Sequence, residues 1–221
     1  MGELFSMERL LGIFEKIWYF FVINFLFILS NIPLLGFLLF VGIGQVSTYY
    51  MLFMVCLLPL PPAFSAVLYT MGRQLRGTEI TGFKDYKKGY VEDFWTKFKL
   101  GLLHIFMMTV FWTNAKFLSQ YGFTLLSMFF YVTFLFSIIL TPNLYILASR
   151  YKMKVFAIMK TAIIVTVVRP VCTLGYVAAF AVFLILLEIT AGTTILFIIS
   201  GYGFLVVFIS SPILKLLEES Q

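Results

Sequence analysis

Hydrophobic and polar positions fall into long blocks along this chain. Ile17 to Gly72 contains no charged residue, an uninterrupted run of 56. One membrane-crossing helix needs about 20 apolar residues, so this run predicts two spans, near 17–41 and 47–72. Gly42, Gly44 and Gln45 supply the turn between them. Leu100 to Ala115 predicts a third span, near 99–117. Phe117 to Ser149, 33 residues, predicts a fourth near 122–148. Pro170 to Leu187 and Ile189 to Leu214 predict a fifth and a sixth, at 170–187 and 189–214. The expected fold is all-α. It is a polytopic membrane helix bundle of about six transmembrane helices, with residues 1–221 as a single integral membrane domain.

Between these blocks the pattern becomes amphipathic. Leu4, Met7, Leu11, Phe14 and Trp18 recur at three- and four-residue steps, with Glu8, Arg9, Glu15 and Lys16 off that stripe. Phe83, Tyr86, Tyr90, Phe94 and Phe98 form a second stripe, with Lys84, Lys87 and Lys88 off it. Both predict helices lying in the membrane interface on the cytoplasmic side. Met153 to Val168 is apolar nearly all round except at Lys160. It reads either as a third interfacial helix or as the lower half of a long bent fifth span, with a break at Arg169-Pro170.

Composition sharpens this picture. The chain is 62% hydrophobic and 12% charged, whereas a soluble domain is nearer half apolar and a quarter charged. A cytosolic enzyme, a secreted disulfide scaffold and a disordered tail are excluded. Met1 to Trp18 carries Glu3, Glu8 and Glu15 and no small-residue cleavage site, so it is not expected to be a removable signal peptide. The net charge of +6 suggests nucleic acid on a soluble protein, but here no nucleic-acid partner is expected. Fifteen of the 16 lysines and arginines fall on one side of the predicted spans and only Lys116 on the other. The positive-inside rule then places the basic segments, and both termini, in the cytoplasm. The expected surroundings are a lipid bilayer, crossed several times.

Little in the chain points to catalysis. One His, and two cysteines (Cys56 and Cys172) inside apolar runs, give no nucleophile–base set and no ligand cluster. No phosphate-binding loop is present. No catalytic residue, metal or cofactor is therefore expected. Candidates for a substrate pathway are sparse. Pro59, Pro61 and Pro62 in span two and Pro142 in span four remove backbone bonds, and broken helices build midplane sites in transporters. Packing kinks explain the same prolines. Pro62 and Pro142 also precede basic segments at Arg73 and Arg150, a faint parallel repeat. His104 is either a proton relay or a hydrogen bond to a neighbouring helix. Asn24, Asn31, Asn114 and Asn143 read first as interhelical hydrogen-bonding groups. Glu188 and Lys116 are either solvated span ends or an outer pair beside a pathway.

The order of these signals resembles the YesL-like family of bacterial membrane proteins, a domain of unknown function. The residues that carry the resemblance are Glu8-Arg9-Leu10-Leu11, Asn24, Pro33, the Pro62-Ala63…Ala66…Tyr69 run, and Arg73…Arg76-Gly77. It continues through Phe83-Lys84-Asp85-Tyr86…Gly89…Phe94…Phe98. The stretch between Pro33 and Pro62 is longer than in compact members. The resemblance implies a multi-pass protein of the bacterial cytoplasmic membrane, associated with carbohydrate uptake systems of the ABC type. It brings no catalytic residues.

Two functional readings follow. The first is an accessory or interaction subunit of such a system, contacting its permeases. The second is a small-molecule transporter with a site between the Pro-broken helices, where Pro62, His104, Asn143, Glu188 and Lys116 are the pathway candidates. For the first, the surface expected to meet a partner or lipid is Gly82 to Lys99, through Phe83, Lys84, Asp85, Tyr86, Lys88, Tyr90, Glu92 and Phe94. Its mixture of signs suits a protein surface better than lipid alone.

Overall fold

A computed structural model of the chain describes the backbone of residues 7–77 and 81–219, and side chains within 11–77 and 81–214. Among these residues every regular element is a helix. They are α1 (Met7–Ser30), α2 (Ile32–Phe40), α3 (Tyr50–Cys56), α4 (Leu60–Leu75), α5 (Gly82–Val91) and α6 (Phe94–Gln120). Then follow α7 (Thr124–Arg150), α8 (Val155–Val168), α9 (Pro170–Ile189), α10 (Ala191–Thr194) and α11 (Ile198–Glu219). Four stretches are long and apolar enough to cross a membrane: Leu11–Ser30, Tyr50–Leu75, Thr124–Arg150 and Pro170–Ile189. α6 is as long as α7, at 27 residues, and is diluted by Lys97, Lys99, His104 and Lys116. The described apolar part of α11 runs Ile198–Leu214.

Local chemistry sets the breaks. α1 ends where Ser30 Oγ donates to the Leu26 carbonyl and Asn31 Nδ2 to the Phe27 carbonyl, both at 2.8 Å. Pro33 then sits in the first turn of α2, where its missing N–H costs nothing. The interval expected as one span at 17–41 is thus divided at Asn31, and the apolar helix begins earlier. The stripe through Leu11, Phe14 and Trp18 is part of α1 and not a separate interfacial helix, because nothing between Met7 and Ser30 interrupts the helix. Leu4, Glu3 and the start of that stripe lie outside the described residues.

The interval expected as span two is also divided. α3 stops at Cys56, and Pro59, Pro61 and Pro62 open α4 as its N-cap and first turn. Prolines there remove donors that have no helical acceptor anyway. They start a helix here, so they do not kink one. α4 ends on Gly77, whose φ of 68° is the left-handed closure that glycine provides without a Cβ penalty.

α4 is the centre of the bundle. Pro61 to Leu68 and Thr70 to Gly72 are all buried, the pattern of a helix surrounded on every side. α5 runs back antiparallel along it, α11 and α7 pack on other faces, and α6 crosses near its start. The crossing is close: a Cβ added at Gly101 of α6 would lie 2.1 Å from Pro61 Cγ. α6 and α7 form a long hairpin through Gly122, and each is about 40 Å long at 1.5 Å per residue, enough for a hydrocarbon core of about 30 Å. Val67, Leu68, Met71, Leu100, Leu144 and Val206 are fully buried. By contrast α9 leaves Val171, Leu174, Val177, Phe180 and Ile185 exposed, as a lipid-facing helix does. α8 is a helix of its own on α7, separated from α9 at Arg169.

Candidate functional site

Three polar side chains inside the bundle, His104, Asn143 and Asn24, join one segment to another. His104 of α6 is 3% exposed. One ring nitrogen lies 3.4 Å from the Tyr145 hydroxyl and the other 3.2 Å from the Ser137 carbonyl, both on α7. That carbonyl also accepts from Thr141 Oγ. Pro142 lies one residue further along α7 and has no N–H to offer Ile138. His104 and Thr141 thus brace α7 beside the backbone bond that Pro142 removes. Asn143 points elsewhere and donates to Thr166 Oγ1 of α8 at 2.8 Å. Asn24 of α1 spans the stretch before α11, donating to the Ile195 carbonyl at 2.8 Å and accepting from the Ile199 N–H at 3.1 Å. Asn31 and Asn114 bond carbonyls of their own helices.

The residues proposed for a pathway do not converge. Pro62 is buried in the first turn of α4, and His104 and Asn143 face different neighbours. Glu188 is exposed near the end of α9. Lys116 is not paired with it: its ammonium lies 5.0 Å from the centre of the Trp112 ring on its own helix. A charge near a span end is stabilised by that ring face without a partner helix.

The expected partner surface at Gly82–Lys99 is rearranged. Asp93 adopts φ 51° and divides the segment into α5 and the start of α6. Asp85 and Tyr86 are buried and unavailable to a partner. Asp85 forms an ion pair with Arg73 and accepts from the Thr81 N–H at 3.0 Å, tying α5 to α4 across the turn. Tyr86 donates to Ser30 Oγ at 3.0 Å, and burial pushes its phenol pKa up. A Cβ on Gly89 would lie 2.8 Å from the Tyr69 ring. Glu92 is engaged by Lys152 at 3.1 Å, which raises the lysine's pKa. Lys97 is buried and donates to the Gly89 and Glu92 carbonyls, each at 2.7 Å. Tyr86, Tyr90, Phe94 and Phe98 contact one another in sequence, stacked at Tyr86–Tyr90 and Phe94–Phe98 and tilted at Tyr90–Phe94. The stripe therefore holds the joint between α5 and α6. Phe83, Lys84, Lys87 and Lys88 remain exposed.

The joint between α5 and α6 lies within a segment that matches a protein family. Residues 20–115 match the family of proteins of unknown function DUF624. The match agrees with the resemblance read from the Pro62 to Phe98 motifs. Comparison with curated proteins and with solved structures finds no match. The DUF624 segment takes in α1 from Phe20 onward, all of α2 to α5, and most of α6. It contains Arg73 and Asp85, which pair with each other, and Lys97 with its acceptors Gly89 and Glu92, while His104 reaches α7 and Asn24 reaches Ile195 just before α11 and Ile199 within it.

Two further features lie between the DUF624 segment and the second half. One is a cavity of about 390 Å³ among α4, α7, α9 and α11, lined by Phe64, Ile139, Pro142, Tyr176 and Tyr202. The other is a cleft where α4 and α7 end, onto which Arg76 and Arg150 converge. Sequence reading placed both arginines in basic segments, Arg76 also in the resemblance motif and Arg150 in the faint repeat, but did not bring them together. Their convergence depends on α4 packing against α7, which no local pattern encodes.

Proposed function

We propose that the chain is an accessory or interaction subunit of the bacterial cytoplasmic membrane, with six spans and both termini in the cytoplasm. α1, α3–α4, α6, α7, α9 and α11 are the spans in this reading. The observation that carries it is the state of the interior. Asn24, His104 and Asn143 are bonded to other segments of the bundle, and the cavity between the helices is walled mainly by aliphatic and aromatic groups. A solute path needs placed polar groups, so the transporter reading is the weaker of the two. The partner implied by the YesL-like resemblance is the permease of an ABC-type carbohydrate uptake system. With Asp85 and Glu92 engaged internally, the surface offered to it is the exposed trio Lys84, Lys87 and Lys88, which suits an acidic cytoplasmic face. No catalytic step belongs to this reading.

The test is copurification from native membranes in mild detergent. The chain should bring down permease subunits in stoichiometric amount. Replacing the three lysines with serine should weaken that association and leave the fold intact, since all three side chains are exposed. Undiminished association in the triple variant would refute the lysine contact. Recovery of the chain alone, from membranes where the permeases are present, would refute the accessory reading.

A further inference from the structure

The cavity among α4, α7, α9 and α11 is graded from floor to rim. Phe64, Pro142 and Tyr176 form its floor and are buried, Tyr176 at 1% exposure. Leu135 and Ile138 of α7 and Val177 and Phe180 of α9 form its rim and are 43–56% exposed. The cavity therefore opens sideways, between two of the helices that are long and apolar enough to cross a membrane. α7 meets α9 and α11 only sparsely, while it packs closely on α4. Pro142 and Leu135 precede Arg150, the last residue of α7, by eight and fifteen residues, about 12 and 22 Å along the helix at 1.5 Å per residue. Half of a hydrocarbon core of about 30 Å is about 15 Å. With Arg150 at the interface, the opening is level with the bilayer midplane.

The side chains of its wall are hydrocarbon except for the hydroxyls of Thr141, Tyr176 and Tyr202. Thr141 donates its proton to the Ser137 carbonyl. A buried water needs about two to four polar partners, whereas a dry cavity of about 150 Å³ already accepts a benzene ring. At about 390 Å³ this cavity has room for a length of chain. Left empty, its wall would lack the atoms that dispersion attraction requires. Lipid headgroups lie about 15 Å from the midplane, so the medium standing at this rim is hydrocarbon. The cavity is continuous with the lipid-facing surface of α7 and α9, and nothing polar separates the two.

We infer that the cavity is a binding site for one acyl chain of a membrane lipid, which enters between α7 and α9 and ends against Phe64 of α4. The lipid is selected by its chain and not by its headgroup. This goes beyond the interaction reading, since no partner contributes to the site. The test uses the full chain in vesicles of phosphatidylglycerol and phosphatidylcholine in equal parts. They carry a trace of either lipid with a diazirine at the end of one acyl chain, and mass spectrometry maps the adducts formed on illumination. Phe64 lies within Pro61–Leu68 of α4, which is buried throughout, so an adduct there marks a chain inside the cavity. Adducts should form at Phe64 and Tyr176, with equal yield from the two headgroups. They should also form at Phe106 of α6, which is 62% exposed and away from the cavity. Ile138→Trp and Val177→Trp, which narrow the rim, should each lose the Phe64 and Tyr176 adducts. Both should keep the Phe106 adduct, which reports an inserted chain. Labelling confined to exposed residues such as Phe106 overturns the proposal, as does undiminished Phe64 labelling in both rim variants. A strong headgroup preference at Phe64 overturns selection by the chain. Labelling of Phe64 in vesicles but not in native membranes given the same probe would assign the cavity to a partner's side chain and overturn the lipid.

Discussion

Alanine at Gly101 measures how closely α4 and α6 cross. The new Cβ would lie 2.1 Å from Pro61 Cγ and 2.3 Å from its Cβ. Carbon atoms rest about 3.5–4.0 Å apart, so the helices must separate locally by about 1.4 Å or more. Overpacking of this kind costs about 1–3 kcal/mol, and an overlap with a proline ring, which cannot rotate away, belongs at the upper end. Alanine returns about 1 kcal/mol of helix propensity, leaving a net loss of about 2 kcal/mol. At about 2–4 °C per kcal/mol for a chain of this size, Gly101→Ala should melt about 4–8 °C below the parent. Thermal unfolding followed by circular dichroism in detergent reads this directly. Gly36 in α2 is the control, because a Cβ there meets nothing within 4 Å. Gly36→Ala should raise the midpoint by about 2–4 °C on propensity alone. The same chemical change then has opposite signs at two helical positions. Pro61→Gly removes the obstructing atoms, so Gly101→Ala added to it should cost nothing further. A midpoint for Gly101→Ala at or above the parent would refute the packing argument, as would an equal cost on the Pro61→Gly background.

Three other outcomes follow. Arg73→Gln leaves the Asp85 carboxylate, 4% exposed, without its cation. It should cost about 3 kcal/mol, the low end for a broken buried pair because Arg73 is partly exposed. Asp85→Asn keeps an acceptor for the Thr81 N–H and should cost less, and equal losses in a detergent-unfolding titration would contradict the assignment. Asn24→Leu should destabilise more than Asn143→Leu in the same titration. It strands the Ile195 carbonyl and the Ile199 N–H, whereas Thr166 retains its own bond to Ala162; the reverse order would refute this. For topology, cysteines introduced at Gly44 or Gln120 in a chain lacking Cys56 and Cys172 should label from outside and one at Thr78 should not. The opposite pattern would invert the orientation, although Thr78 itself lies outside the described residues.

The helical membrane architecture was legible because apolar runs of about 20 residues or more satisfy their backbone groups in lipid as helices, whereas barrel strands are about 9–11 residues long. α7 and α9 fall close to their expected limits for that reason. The breaks at Asn31, at Leu57 to Pro59 and at Asp93 were harder to read, since all of them fall inside apolar or amphipathic patterns that continue on either side. Proline spacing signalled a break before α4. It did not reveal whether the prolines end one helix or begin the next, because that depends on which donors are already spare. The charge pattern of α5 misled most. Asp85 and Glu92 looked like surface groups among lysines, but Arg73 and Lys152 arrive from other elements and take them. Gly89 and Gly101 give no sign in sequence that Tyr69 and Pro61 rest against them. His104 and Asn143 were readable as hydrogen-bonding groups, while their partners Ser137 and Thr166 were not.

Asn24 also sets an order on biosynthesis. It lies in α1, and its acceptor at Ile195 is 171 residues later. At about 5–20 residues per second, the nascent chain carries that amide in the membrane for about 10–35 seconds before its acceptor has been made. During that time α1 cannot take its final seat, because the stretch it clasps and the α11 face it packs on do not yet exist. The family-matched segment is therefore threaded first and locked last. An insertion chaperone that shelters the Asn24 amide of α1 would act within that window.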